Sequence, residues 1–171
     1  MVFELPKINY TGEIKEVELG LNKIKVGGEK IYPFCSFEGN MPNLPKIAME
    51  VLDIPPEDWP ETCIKPFKDA VDNPGKWAKK CVDEYKVEMI CLLLEGIDPD
   101  GKNRSVEDTV KTVKEVLDNI NVPLIVWGCE KDEKDVEVLR KIAEEFEGKN
   151  LILGPVVDNN YKKLGEGRIQ A

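Results

Sequence analysis

The chain has 171 residues, 42% of them apolar and 33% charged, a composition that describes an ordinary soluble globular protein long enough to bury a core. Lysine plus arginine number 24 against 33 aspartates plus glutamates, and the net charge of −9 disfavours nucleic acid and anionic membranes as partners. Histidine is absent, which excludes a Ser-His-Asp or Cys-His mechanism within this chain and removes the commonest metal ligand.

Residues 1–12 read as a lead-in that ends in the turn chemistry of Asn9-Tyr10-Thr11-Gly12. Polar and apolar residues alternate over Glu13–Leu19 and again over Lys23–Val26, with Gly27-Gly28 closing the segment. This predicts an antiparallel hairpin over 12–30 that lies across the end of a sheet or barrel. Ile31–Pro45 is irregular and rich in aromatics, Gly, Asn and Pro, the composition of an anchored loop or a binding surface. A strand over 47–53 ends in Asp53, and Pro55-Pro56 forbids its continuation. Glu57–Asn73 reads as a long connection.

Regular alternation then begins. Trp77, Cys81 and Tyr85 share one face of a helix that starts at Pro74. Met89-Ile90-Cys91-Leu92-Leu93-Leu94, inside a strand over 88–95, is continuously apolar and reads as buried on both faces. Asp98-Pro99-Asp100-Gly101 is a turn, and Ser105-Val106-Glu107-Asp108 is a capping box that opens a helix running to Leu117. A strand over 123–127, a helix with Val136, Leu139, Ile142, Ala143 and Phe146 as its core stripe, and a strand over 150–154 follow; Asp158-Asn159-Asn160 is placed to cap a further helix near Tyr161. Helix and strand at this pitch mean α/β architecture built of right-handed units.

The pattern predicts one domain: the hairpin, then residues 46–171 as a TIM-type (β/α)8 barrel truncated to about four units, with an open doubly wound sheet as the alternative. The chain ends where another helix has just begun, which favours the half-barrel and suggests a fragment or a body that a partner closes. The five cysteines, at 35, 63, 81, 91 and 129, show no CxxC spacing and read as free thiols in a reducing cytosol, with no Fe–S cluster on this chain. No apolar run is long enough to span a membrane and no signal peptide is evident, so a cytoplasmic protein is expected.

In barrels of this kind function gathers at the carboxyl ends of the strands. Those ends carry Asp53, Glu95 with Asp98, Cys129, and Asp158 with Asn159. No catalytic constellation emerges: glycine-rich phosphate cradles are absent, no metal site is expected, and Cys129 has no histidine to activate it. Acids in these positions also serve as turn formers and helix caps, whereas Glu95 follows an apolar run directly, where an acid usually has a purpose.

Several short segments, in order and at characteristic spacing between about residues 12 and 164, resemble a known family. They are Val26-Gly27-Gly28, Phe37-Glu38-Gly39, Met41-Pro42-Asn43, Pro74-Gly75-Lys76-Trp77-Ala78-Lys79-Lys80-Cys81, Asp98-Pro99-Asp100-Gly101, Val122-Pro123-Leu124-Ile125-Val126, Asn150-Leu151-Ile152-Leu153-Gly154 and Asn160-Tyr161-Lys162. The resemblance is to the N-terminal half of the small subunit of the corrinoid iron–sulfur protein, whose archaeal counterpart is the delta subunit of acetyl-CoA decarbonylase/synthase. It implies a TIM barrel paired as a heterodimer with a large subunit that carries the Fe–S cluster and the corrinoid domain. It implies cobalamin held between the two, receiving a methyl group from a methyltransferase that uses a methyl-tetrahydropterin and passing it to acetyl-CoA synthase in the CO dehydrogenase/acetyl-CoA synthase (Wood–Ljungdahl) pathway. Both enzymes are then transient partners, and this chain is a non-catalytic subunit. Its expected cofactor-facing residues are Phe37, Glu38, Gly39 and Asn40 together with Glu95, Asp98, Cys129 and Asn159. The rival readings are a pterin-dependent methyltransferase gripping its pterin with Asp53, Asp158 and Asn159, and a fragment without function.

Overall fold

A computed structural model describes residues 12–31 and 41–165. The hairpin is present as β1 (Val17–Leu19) and β2 (Ile24–Val26), paired antiparallel with Val17 opposite Val26. Backbone bonds between Ile14 and both Gly28 and Glu29 extend it, and Asn43 ties it to the following segment by donating to the Gly27 carbonyl at 2.9 Å.

Four parallel strands form the body: β3 (Ala48–Leu52), β4 (Met89–Leu93), β5 (Leu124–Trp127) and β6 (Ile152–Gly154), lying side by side in sequence order. Between them run α2 (Pro74–Tyr85), α3 (Val106–Asn119) and α4 (Asp132–Glu145); α2 packs on α3 and α3 on α4, so all three cover one face. The connection before α2 is not structureless. It holds α1 (Glu61–Ile64) and a 3-10 turn over Lys65–Phe67, whose Phe67 and the preceding Trp59 pack on Trp77 at ring centroid distances of 5.7 and 5.8 Å. A final short helix, α5, spans Tyr161–Gly165.

Local chemistry explains the element ends. Asn73 caps α2 by accepting from the Lys76 N–H at 2.7 Å, and Pro74 occupies the first turn, where its missing N–H costs nothing. Ser105 accepts from the Asp108 N–H at 3.1 Å, the first half of the expected capping box. Among the described residues the Asp158 side chain makes no hydrogen bond; Asn160 instead braces the turn before α5, accepting from the Val157 N–H at 2.8 Å and donating to the Pro155 carbonyl at 3.0 Å.

The core lies between the sheet and the helix layer. Ile90, Leu92 and Leu94 alternate into it from the middle of the sheet, met by Trp77, Ala78 and Cys81 of α2, Val113 and Val116 of α3, and Val138, Leu139 and Ile142 of α4. The opposite face behaves differently. Register places Glu50, Cys91, Ile125 and Ile152 in one row there and Leu52, Leu93, Trp127 and Gly154 in the next. Cys91 and Leu93 are only half-buried and Trp127 is 38% exposed, so β4 is dry on one face rather than on both.

Candidate functional site

The hairpin and the strand-end loops occupy opposite ends of the sheet. At the amino ends of the strands, the hairpin tip meets the turn before β5: a Cβ at Gly20 would lie 2.6 Å from the Pro123 ring, and Asn22 donates to the Asn121 carbonyl. Beside it is an apolar cleft of about 430 Å³ lined by Leu117, Ile120, Val122, Phe146 and Leu151. The expected lid is therefore a plug at the end away from the candidate residues.

At the carboxyl ends, the loops after successive strands are tied to one another. Asp53, directly after β3, is buried with its side chain 0% exposed. Its Oδ1 accepts from the Gly96 N–H at 2.7 Å, and its Oδ2 pairs with Arg104 Nη1 at 3.0 Å. The other arm of the guanidinium reaches Thr112 Oγ1 at 2.8 Å. Burial pushes the Asp53 carboxyl above its ordinary range, against the opposing pull of the Gly96 N–H and of Arg104. Gly96 is glycine for a steric reason, since a Cβ would stand 2.7 Å from both Asp53 Oδ2 and Arg104 Cδ. Outside this lock, Lys102 pairs with Glu57 at 2.6 Å, Lys131 with Asp100 at 2.7 Å, and Asn159 donates to Asp132 at 3.1 Å.

A second buried carboxylate repeats the device after β5. Asp135 of α4, 0% exposed, accepts from the Cys129 N–H at 2.8 Å, and a Cβ at Gly128 would collide with it. Its Oδ2 has no hydrogen-bond partner among the described residues. Burial, the largest cause, raises its pKa above the usual carboxylate range. Cys129 Sγ lies 3.5 Å from Asp135 Oδ1, and burial, reinforced by that carboxyl, pushes the thiol up to about 11. Cys129 is thus a thiol at neutral pH and a poor nucleophile.

Four of the eight expected residues fall at this end. Glu95 lies in a 3-10 turn after β4 and is exposed; the buried acid of this end is Asp53, one strand earlier. Asp98 is a turn former: its side chain accepts from the Asp100 N–H at 2.9 Å and its carbonyl from Gly101 and Asn103. Glu95 and Asp98 line one cleft of about 500 Å³ with Pro55, Pro56, Trp59 and Lys102. Cys129 lies close enough for the charge of Asp98 to act on it, and Asn159 stands one loop further along. Phe37, Glu38, Gly39 and Asn40 lie outside the described residues. Asp53 is spent on Arg104 and Gly96 and is not free to grip a pterin. Arg104 and Asp135 escaped sequence reasoning; the only signal was a glycine directly after two strands, at Gly96 and Gly128. Among the described residues no group of three or more Cys, Asp or Glu is placed to hold a metal ion, and no helix is long and apolar enough to cross a membrane.

The fold and this end of it define an α/β protein whose parallel sheet, in sequence order, carries a stitched rim of polar loops and an adjoining cleft. The family model of the CO dehydrogenase/acetyl-CoA synthase delta subunit matches residues 15–170, and the chain belongs to that family. It is 34% identical to the acetyl-CoA decarbonylase/synthase complex subunit delta of Methanothermobacter thermautotrophicus, over 98% of this chain and 43% of the relative. It is 36% identical to the subunit delta of Archaeoglobus fulgidus, over 95% and 38%, and 32% identical to that of Methanocaldococcus jannaschii, over 95% and 42%. The chain spans about four-tenths of the length of these curated relatives.

Proposed function

We propose that the chain is part of the non-catalytic small subunit of a corrinoid methyl carrier, and that its strand-end rim forms one wall of the cobalamin pocket. The observation that carries this reading is family membership over nearly the whole chain. Supporting it, the polar rim and the cleft beside it stand at the sheet end that the hairpin leaves clear.

The residues present fit a covering wall better than a cobalt-ligating site. The sequence has no histidine, and the cleft of about 500 Å³ has Pro55, Pro56 and Trp59 offering apolar surface and Glu95, Asp98 and Lys102 offering hydrogen-bonding groups. A bound corrinoid would supply the cobalt that accepts and releases a methyl group. Glu95, Asp98 and Asn159 would hold the amide-bearing periphery of the macrocycle, and Cys129, as a neutral thiol, would pack without ligating. The four strands in sequence order with helices on one face are read as half of a TIM-type barrel. The large subunit of the corrinoid iron–sulfur protein is the proposed stable partner, and the methyltransferase and acetyl-CoA synthase are the transient ones.

The test is association with the corrinoid-loaded large subunit of one of the relatives' complexes, followed by sedimentation. A 1:1 complex weakened by Glu95→Ala, an exposed position, and by Asp98→Asn, which keeps an acceptor for the Asp100 N–H, supports the reading. Absence of any complex removes it.

A further inference from the structure

The cleft beside the rim has two walls, and both hang from one guanidinium. The first wall, with Pro55, Pro56 and Trp59, begins directly after Asp53. The second, with Glu95, Asp98 and Lys102, is a loop whose neck is closed by the Arg104 N–H donating to the Gly96 carbonyl at 2.9 Å. Arg104 Nη1 donates to the Asp53 carbonyl at 3.1 Å and to Asp53 Oδ2 at 3.0 Å, while Nη2 donates to Thr112 Oγ1 of α3 at 2.8 Å. We propose that Arg104, seated by Thr112, is the positioning residue of this cleft: without lining it, Arg104 sets the spacing of the two walls and thereby the hold of Glu95 and Asp98 on the edge of a bound corrinoid.

That the ligand is a corrinoid rests on the reading above; the lock rests on geometry alone. Two contacts join the walls. At the mouth Lys102 pairs with Glu57 at 2.6 Å, but the two side chains are 57% and 71% exposed, and an exposed pair of this kind is held too weakly to fix a spacing. At the base the fully buried Asp53 carboxylate takes both the Gly96 N–H and the guanidinium. The walls touch there, since a Cβ at Gly96 would stand 2.7 Å from Asp53 Oδ2 and 2.8 Å from Ile54 Cγ2. Charge-assisted bonds to a buried carboxylate are short, strong and directional, so the base decides the spacing and the mouth follows. Thr112 fixes the plane of the guanidinium. Its Oγ1 accepts from Nη2 while donating to the Asp108 carbonyl at 3.1 Å, which anchors the lock to the body of α3. A lysine at 104 brings a single point of charge and cannot serve Asp53 and Thr112 together.

Thr112→Val removes the anchor with little change of shape, and Thr112→Ser returns it. Amide NMR spectra of the chain alone are compared first. Thr112→Val is expected to shift the amides of Ile54 and Trp59 together with those of residues 96–104, and Thr112→Ser to leave both sets near wild type. Shifts confined to one wall overturn the shared lock. The same variants are then titrated into the corrinoid-loaded large subunit of a relative's complex, with affinity read from the visible spectrum. Binding is expected to weaken about tenfold with Thr112→Val and with Arg104→Lys, and to return with Thr112→Ser. Ile142→Val thins the core near the far end of α4 and controls for lost stability; its affinity is expected to stay within about twofold of wild type. Circular dichroism checks that each variant is folded, and Thr112→Val carries the test if Arg104→Lys is not. Unchanged affinity in the folded lock variants, or an equal loss with Ile142→Val, overturns the positioning role. If wild type itself gives no spectral change while the NMR shifts appear in both walls, the corrinoid reading fails and the lock stands.

Discussion

Asp53 and Arg104 show how one buried pair orders several loops at once. The carboxylate holds the backbone after β4, and the guanidinium holds the carboxylate, the Asp53 carbonyl and Thr112. Removing the cation leaves a fully buried carboxylate without its counter-charge. Arg104→Ala should therefore lower stability by about 3–5 kcal/mol in urea unfolding, and Arg104→Lys should recover only part of it, because a point charge cannot serve Asp53 and Thr112 together. Asp135 gives a pH signature. Its folded pKa lies above the unfolded value, so the folded state binds the proton more tightly, and its contribution to stability falls as pH rises from the unfolded pKa near 3.9. Asp135→Asn keeps an acceptor for the Cys129 N–H and removes this titration. The stability of the variant relative to wild type should thus increase between about pH 4 and pH 7, and a pH-independent difference would show that the carboxyl is unperturbed. Neither pair was legible in the sequence, because both depend on side chains 51 and 6 positions apart meeting across loops. A single chain shows an Asp after a strand and an Arg in a turn, and nothing in their types says that they meet.

Elements were more legible than residues, and for physical reasons. The Ser105 cap, the Pro74 start and the apolar stripe of α4 are local signals that packing did not override. Ser105→Ala should cost about 1 kcal/mol, seen as a lower urea midpoint with unchanged slope, and Ser105→Asp should restore most of it. The short α1 and its 3-10 continuation were not legible, since two or three turns gain their stability from packing Trp59 and Phe67 on Trp77 rather than from propensity. Glu95 is exposed because β4 ends at Leu93 and the chain turns immediately, which swings the acid out to solvent. The run Met89–Leu94 suggested burial on both faces. A continuous apolar sequence records what a strand is built to meet, and here one of its faces is half-exposed.

At the scale of the whole molecule, sequence order and one-sided helices set the polar rim and the hairpin plug at opposite ends of the sheet. The α/β class and the strand count followed from periodicity alone; the role proposed for the rim did not, because its loops carry turn formers, which a sequence does not distinguish from binding groups. The central claim is that this rim covers a corrinoid held by a large subunit. It is tested most directly by titrating the chain into the corrinoid-loaded large subunit of a relative's complex and recording the visible absorption spectrum of the corrinoid. The account predicts a saturable spectral change at one chain per corrinoid, diminished by Glu95→Ala and Asp98→Asn. An unchanged spectrum in a sample where the two proteins nonetheless sediment together would contradict it, since the chain would then bind the partner away from the cofactor.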